Sequence, residues 1–121
     1  MAMKITTDDQ IFKIHADFCG ALANEKRLKI MWLLAQGERS VGNIAQEIGI
    51  TIANTSQHLR VLRDKGAVLE EKKGQNVIYR ISNSKFIKGC RLIREGIIET
   101  QRIRSKLFFP EQVLVKLSKS E

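Results

Sequence analysis

A chain of 121 residues, 43% of them apolar, has material for one folded core and too little length for two. Its 21 Lys and Arg against 13 Asp and Glu leave a formal charge of +8, which favours a polyanionic partner. There is no run of 18 or more apolar residues, the N-terminus lacks a basic stretch followed by an apolar core, and Cys19 and Cys90 are too few for a secreted disulfide framework, so a cytoplasmic protein with reduced thiols and no membrane contact is expected.

Met1 to Thr7 carries no strong signal. From Asp8 onward Ile11, Ile14 or His15, Phe18 and Leu22 recur at three- and four-residue steps, with Asp8 and Asp9 where a helix N-terminus favours negative charge. This predicts a first helix over about 8–23. Asn24 is placed to cap a second, with Arg27, Leu28, Met31, Leu34 and Ala35 on one stripe and Gly37 as its stop. Ser40 caps a short third helix through Ile48 whose buried side is Val41, Ile44, Ala45 and Ile48. Gly49 and Ile50 then lead tightly into a fourth helix, capped by Thr51 and ended near Gly66.

The fourth helix carries Leu59, Leu62 and Val61 as an apolar side and crowds its other sides with Thr51, Asn54, Thr55, Ser56, Gln57, His58 and Arg60. Helix, brief turn and helix over 41–62 is the arrangement in which the second helix lies in a DNA major groove while the first braces it. After Gly66 the period shortens to near 2. The runs 68–73 and 76–82 form a hairpin with a basic tip at Lys72, Lys73, Gly74 and Gln75, which makes the whole a winged helix-turn-helix. A fifth helix over 84–106 carries Phe86, Cys90, Ile93 and Ile97 on one stripe, widened by Ile87, Leu92, Ile98 and Ile103. This is more apolar surface than so small a core can use, and the first helix has a similar surplus, so a homodimer through the first and last helices is expected. Residues 1–107 are read as one DNA-binding and dimerisation domain. Residues 108–121, with Phe108, Phe109 and Pro110, are read as a tail whose packing is open.

Asn54 and Gln57 have the paired donor and acceptor that match an adenine edge, Thr51, Thr55, Ser56 and His58 have the reach for bases or phosphates, and Ala53 suits a thymine methyl. Arg60, Arg63, Lys65 and the wing lysines suit phosphates, which hold register without reading sequence. The competing reading makes this the solvated face of an amphipathic helix, with His58 satisfying a local backbone group. No Gly-rich phosphate loop, HExxH or GxSxG is present, and Asp8, Asp9 and Asp17 have no partners at useful spacing, so neither an enzyme nor a cofactor is expected.

The segments LANEKRLKIMWLL, TSQHLRVLRDKGAV and GQNVIYRIS together resemble the ArsR/SmtB family of small dimeric winged-helix repressors, over about 22–82, half of the chain. The resemblance implies a mainly α fold of about five helices with a small β-hairpin. It also implies a homodimer, double-stranded operator DNA as partner, and repression relieved by a small inducer. Matched position by position, Thr51, Ala53, Asn54, Thr55, Ser56, Gln57 and His58 fall on the recognition helix, and Lys73, Gln75 and Arg80 fall on or beside the wing. The chain departs from the family's metal sensors. Ser40, Gly42 and Asn43 stand where soft-metal sensors place cysteines, and 84–106 has none of the Asp and His pairs of the zinc sensors, so no metal site is expected. Some relatives sense sulfane sulfur or oxidants with two cysteines, and Cys90 matches one of those positions. Lys88, Arg91 and Arg94 would favour a Cys90 thiolate. Cys19 and Cys90 also read as structural core residues, and His15 with Cys19 at i,i+4 is a weak third reading as metal ligands. The resulting expectation is a sequence-specific repressor released by an unidentified inducer or by thiol modification at Cys19 and Cys90. The alternative is an architectural DNA-binding or protein-interaction module without an inducer.

Overall fold

The computed structural model of the chain describes residues 5–104. In order these form α1 (Ile5–Leu22), α2 (Glu25–Leu34), β1 (Arg39–Ser40), α3 (Val41–Ile48), α4 (Ile52–Asp64), β2 (Val68–Lys73), β3 (Asn76–Ile81) and α5 (Ser84–Arg104). The chain divides between Asn83 and Ser84 into two compact units. The boundary expected at 107/108 and the tail beyond it lie outside the described residues.

Short polar side chains start three of the helices. The Asn24 Oδ1 accepts from the Arg27 amide, the Ser40 Oγ from the Asn43 amide and the Thr51 Oγ1 from the Asn54 amide, each at 3.1 Å. Each oxygen satisfies an amide that the first helical turn leaves without a partner. Between α3 and α4 the chain turns at Gly49, whose φ of 79° belongs to the left-handed region. The Gly49 and Ile50 amides both donate to the Ala45 carbonyl, which closes α3 and delivers Thr51 directly to the start of α4.

The core of the first unit gathers one side of α2, α3, α4 and β2. Ile30 and Met31 of α2, Ile44 of α3, Leu59 and Leu62 of α4 and Val68 of β2 are fully enclosed, and Ala21 of α1 joins them. Of the stripe expected on the second helix Met31 and Leu34 are buried and Leu28 is exposed, while Ile30, outside that stripe, is buried with them. In LKIMWLL apolar residues occupy adjacent faces, so spacing alone does not choose a side, and the elements packed on α2 decide.

The sheet has three antiparallel strands in the order β1-β3-β2. The hairpin pairs Val68 with Ile81 through Lys73 with Asn76. Gly74, at φ 63°, takes the first place of its two-residue turn, as hairpin turns require. β1 has no counterpart in the sequence reading. Its two residues pair Arg39 with Tyr79 and Ser40 with Ile78, and this brief contact ties the entry to α3 to the hairpin.

On α1, Ile11, Phe12 and Ile14 are each more than half exposed. In the second unit α5 buries Ile87, Cys90 and Ile98 and leaves Leu92, Ile93, Ile97 and Ile103 more than half exposed. The expected stripe through Phe86, Cys90, Ile93 and Ile97 is therefore split, because apolar residues surround so much of the helix that one side is buried and another is left over. Among the described residues no helix is long and apolar enough to cross a membrane.

Candidate nucleic-acid interface

α4 has a strict division between its two sides. Thr55, Leu59 and Leu62, at i, i+4 and i+7, face the core. Thr51, Ile52, Ala53, Asn54, Gln57 and Arg60 are exposed, and the side chains of Ala53, Asn54, Gln57 and Arg60 make no hydrogen bond or ion pair among the described residues. Ser56 is half-buried at the edge of this surface. Thr55 does not belong to it. The side chain is fully buried, and its hydroxyl donates to the Thr51 carbonyl at 2.8 Å, so it braces the first turn of α4 and cannot reach a ligand. Its polar side chain placed it with the readers in the sequence; its spacing to Leu59 and Leu62 places it in the core.

His58 lies at the margin, half-buried and turned toward α2. Its Nδ1 is 3.4 Å from the Arg27 Nη1, and the Arg27 Nε donates to the Ala21 carbonyl, so Arg27 connects the end of α1 to the middle of α4. Burial, followed by the nearby charges of Arg27 and Lys26, holds the imidazole below its ordinary value of 6.5. A neutral ring accepts the Arg27 hydrogen bond at Nδ1. Beyond it, Lys65 at the end of α4 is ion-paired with Asp17 of α1.

The wing presents its cations alongside carboxylates. Lys73 pairs with Glu38 at 3.0 Å, Arg80 with Glu71 at 3.1 Å, and Arg63 of α4 with Glu70 at 3.0 Å and Asp64 at 3.1 Å. Arg63 and Lys73, expected on phosphates, and Arg80, expected on or beside the wing, thus each have an acidic partner that the sequence does not announce. The signal was available in the hairpin register, which sets Glu71 opposite Ile78 and so diagonal to Arg80. All these pairs are substantially exposed, and such pairs hold weakly enough to yield to a phosphate. Gln75 is exposed at the turn.

Glu70 is the joint between helix and wing. Its Oε2 accepts from both the Tyr79 hydroxyl and the Arg63 guanidinium. The Tyr79 bond, with Arg63 behind it, lowers the Glu70 carboxyl, while burial and the same bond push Tyr79 up to about 12. Both therefore keep one protonation state across the neutral range, and the joint does not titrate there.

The residues named for sensing lie on other helices. Cys19 is exposed on α1, and Cys90 is buried on α5. Among the described residues no three His, Cys, Asp or Glu side chains gather into a group suited to a metal ion.

Comparison with known proteins places this arrangement. Residues 24–68 match the family model for bacterial regulatory proteins of the arsR family. The chain is 39% identical to the transcriptional activator HlyU of Vibrio cholerae over 64 residues, 53% of this chain and 59% of that one. It is 36% identical to a biofilm growth-associated repressor of Xylella fastidiosa over 70 residues, 58% of this chain and 61% of that one. These matches span no more than about two thirds of the length of the curated relatives. Among solved structures, a homodimeric winged helix-turn-helix DNA-binding domain from Mycobacterium bovis, described as a possible ArsR-family transcriptional regulator, superimposes with a TM-score of 0.74 at 32% identity, covering 84% of this chain and 94% of that one. With its helix-turn-helix, its wing and this degree of likeness, the chain belongs to the ArsR family of bacterial transcriptional regulators.

Proposed function

We propose that the protein is a homodimeric repressor that binds a palindromic operator in double-stranded DNA, with α4 of each protomer in the major groove and each wing on the adjoining backbone. The observation that carries this reading is the exposed face of α4. Ala53, Asn54, Gln57 and Arg60 present a methyl, two amides and a guanidinium that make no hydrogen bond or ion pair among the described residues. Asn54 and Gln57 are assigned to base edges, with Thr51, Ser56 and Ala53 beside them and His58 at the margin. Arg60, Arg63, Lys73, Gln75 and Arg80 are assigned to the backbone, the paired cations exchanging a carboxylate for a phosphate. The exposed apolar residues of α1 and α5 are the faces assigned to the second protomer, in keeping with the homodimer of the M. bovis relative.

The test is binding-site selection from random duplexes followed by titration of the selected site at fixed salt. A specific regulator prefers that site by about three orders of magnitude or more over bulk DNA; an architectural binder shows no such preference. Placing the site before a reporter gene then fixes the sign of regulation, since a repressor lowers expression and an activator raises it. Release by thiol modification is assigned to Cys19, the exposed thiol, together with Cys90. Cys19→Ser and Cys90→Ser proteins that still release the site after peroxide or persulfide treatment would exclude that route and leave a small-molecule inducer.

A further inference from the structure

We infer that Ile52 is a specificity-determining residue, which recognises the C5-methyl group of one thymine in each half-site; this rests on the DNA-binding reading above. Ile52 is the first residue of α4, directly after the Thr51 cap, and it is 59% exposed. The other leucines and valine of the helix turn inward: Leu59 and Leu62 are fully buried and Val61 is half-buried. Isolated exposed apolar residues are ordinary on protein surfaces, so position carries the argument rather than exposure. Most of the other large exposed apolar side chains lie on α1 and α5. Ile52 instead adjoins Ala53 and Asn54 at the end of the helix that meets base edges in this fold.

Two features of that end favour close approach to a base. The first turn of α4 contains no acidic residue, so the partial positive charge of the helix N-terminus is not offset by a side chain. The thymine methyl is the one apolar feature on the major-groove edge of a base pair, and an aliphatic side chain is its natural complement. Ile52 extends further from the helix than Ala53, and its branched end covers a methyl group more fully. Asn54 and Gln57 then read polar edges of neighbouring bases while Ile52 reads the methyl.

Exchange of thymine for uracil removes this methyl and nothing else from the duplex. The experiment takes the site selected by the full chain and replaces each thymine in turn by deoxyuridine. Binding by wild type, Ile52→Ala and Ile52→Val is then measured at fixed salt. Wild type should lose about fourfold at one thymine per half-site, Ile52→Ala should be indifferent to that replacement, and Ile52→Val should keep part of the loss. The exposed position makes an unchanged melting curve the expected control for both variants. If a site is selected but uracil is tolerated throughout, or the loss is the same in Ile52→Ala, the assignment of Ile52 is overturned while the regulator reading stands. If no duplex is preferred over bulk DNA, both fall.

Discussion

The helix face and the wing, two parts of one surface, are prepared differently. The outward side chains of Ala53, Asn54, Gln57 and Arg60 on α4 make no hydrogen bond or ion pair among the described residues, whereas the wing's Lys73 and Arg80 each lie against a carboxylate, and Arg63 near the end of α4 lies against two. A group that reads bases gains from being unengaged, because any internal partner would have to be replaced with matching geometry. A group that holds a phosphate needs only charge and reach, so a weak internal pair positions it at little cost. Sequence preference should therefore reside on α4, and general grip should reside in the wing and be adjustable through its acids.

The largest effect should come from the hidden side of α4. Leu59→Ala opens the core under the reading face and should cost about 2–5 kcal/mol in urea unfolding at fixed protein concentration, with binding lost alongside stability. Gln57→Ala should weaken the selected site about tenfold and leave bulk DNA unaffected; equal weakening of both would move base reading off α4. Lys73→Ala should weaken every duplex alike and reduce the slope of log affinity against log salt by about 1. Glu71→Gln should act in the opposite direction, freeing Arg80 so that all duplexes bind about twofold tighter with a steeper salt slope. A weaker-binding Glu71→Gln protein would mean that the pair orients Arg80 rather than restrains it.

The smallest effect concerns His58. Above pH 6.5 its ring is neutral in both the folded and unfolded chain. As the pH falls below 6.5 the unfolded chain takes up a proton that the folded protein resists, so stability declines until the pH passes the lowered folded-state value. Melting temperature should therefore drop between pH 7 and pH 5 by more in wild type than in His58→Gln. Parallel curves for the two proteins would show that burial beside Arg27 does not hold the His58 ring down.

The order of helices, the hairpin and the caps at Asn24, Ser40 and Thr51 were legible because each depends on residues within a turn of one another. β1 was not legible. Arg39 and Ser40 have no strand pattern of their own and become a strand only because Tyr79 and Ile78 lie beside them. Thr55 was misplaced because residue type outweighed register: counting back four from Leu59 finds it on the buried side. The wing cations were identified, but their partners depend on the strand register and, for Glu38, on a residue 35 positions away. The candidate reading face was thus visible in outline, while its restraints needed the fold.

The closure of the hairpin has a mechanical meaning. The Ser82 amide donates to the Ala67 carbonyl at 3.1 Å, and its hydroxyl donates to the Gly66 carbonyl, so the far end of β3 is fastened to the turn that terminates α4. Glu70 adds a second fastening through Arg63 and Tyr79. In the complex proposed above, a hairpin anchored at its root in this way would act as a lever on the helix, and a pull of the DNA backbone on the tip near Gly74 would be carried to the end of α4. Groove width sensed at the tip would then set the angle at which the other end of the helix meets the bases, making backbone shape and base identity parts of one measurement.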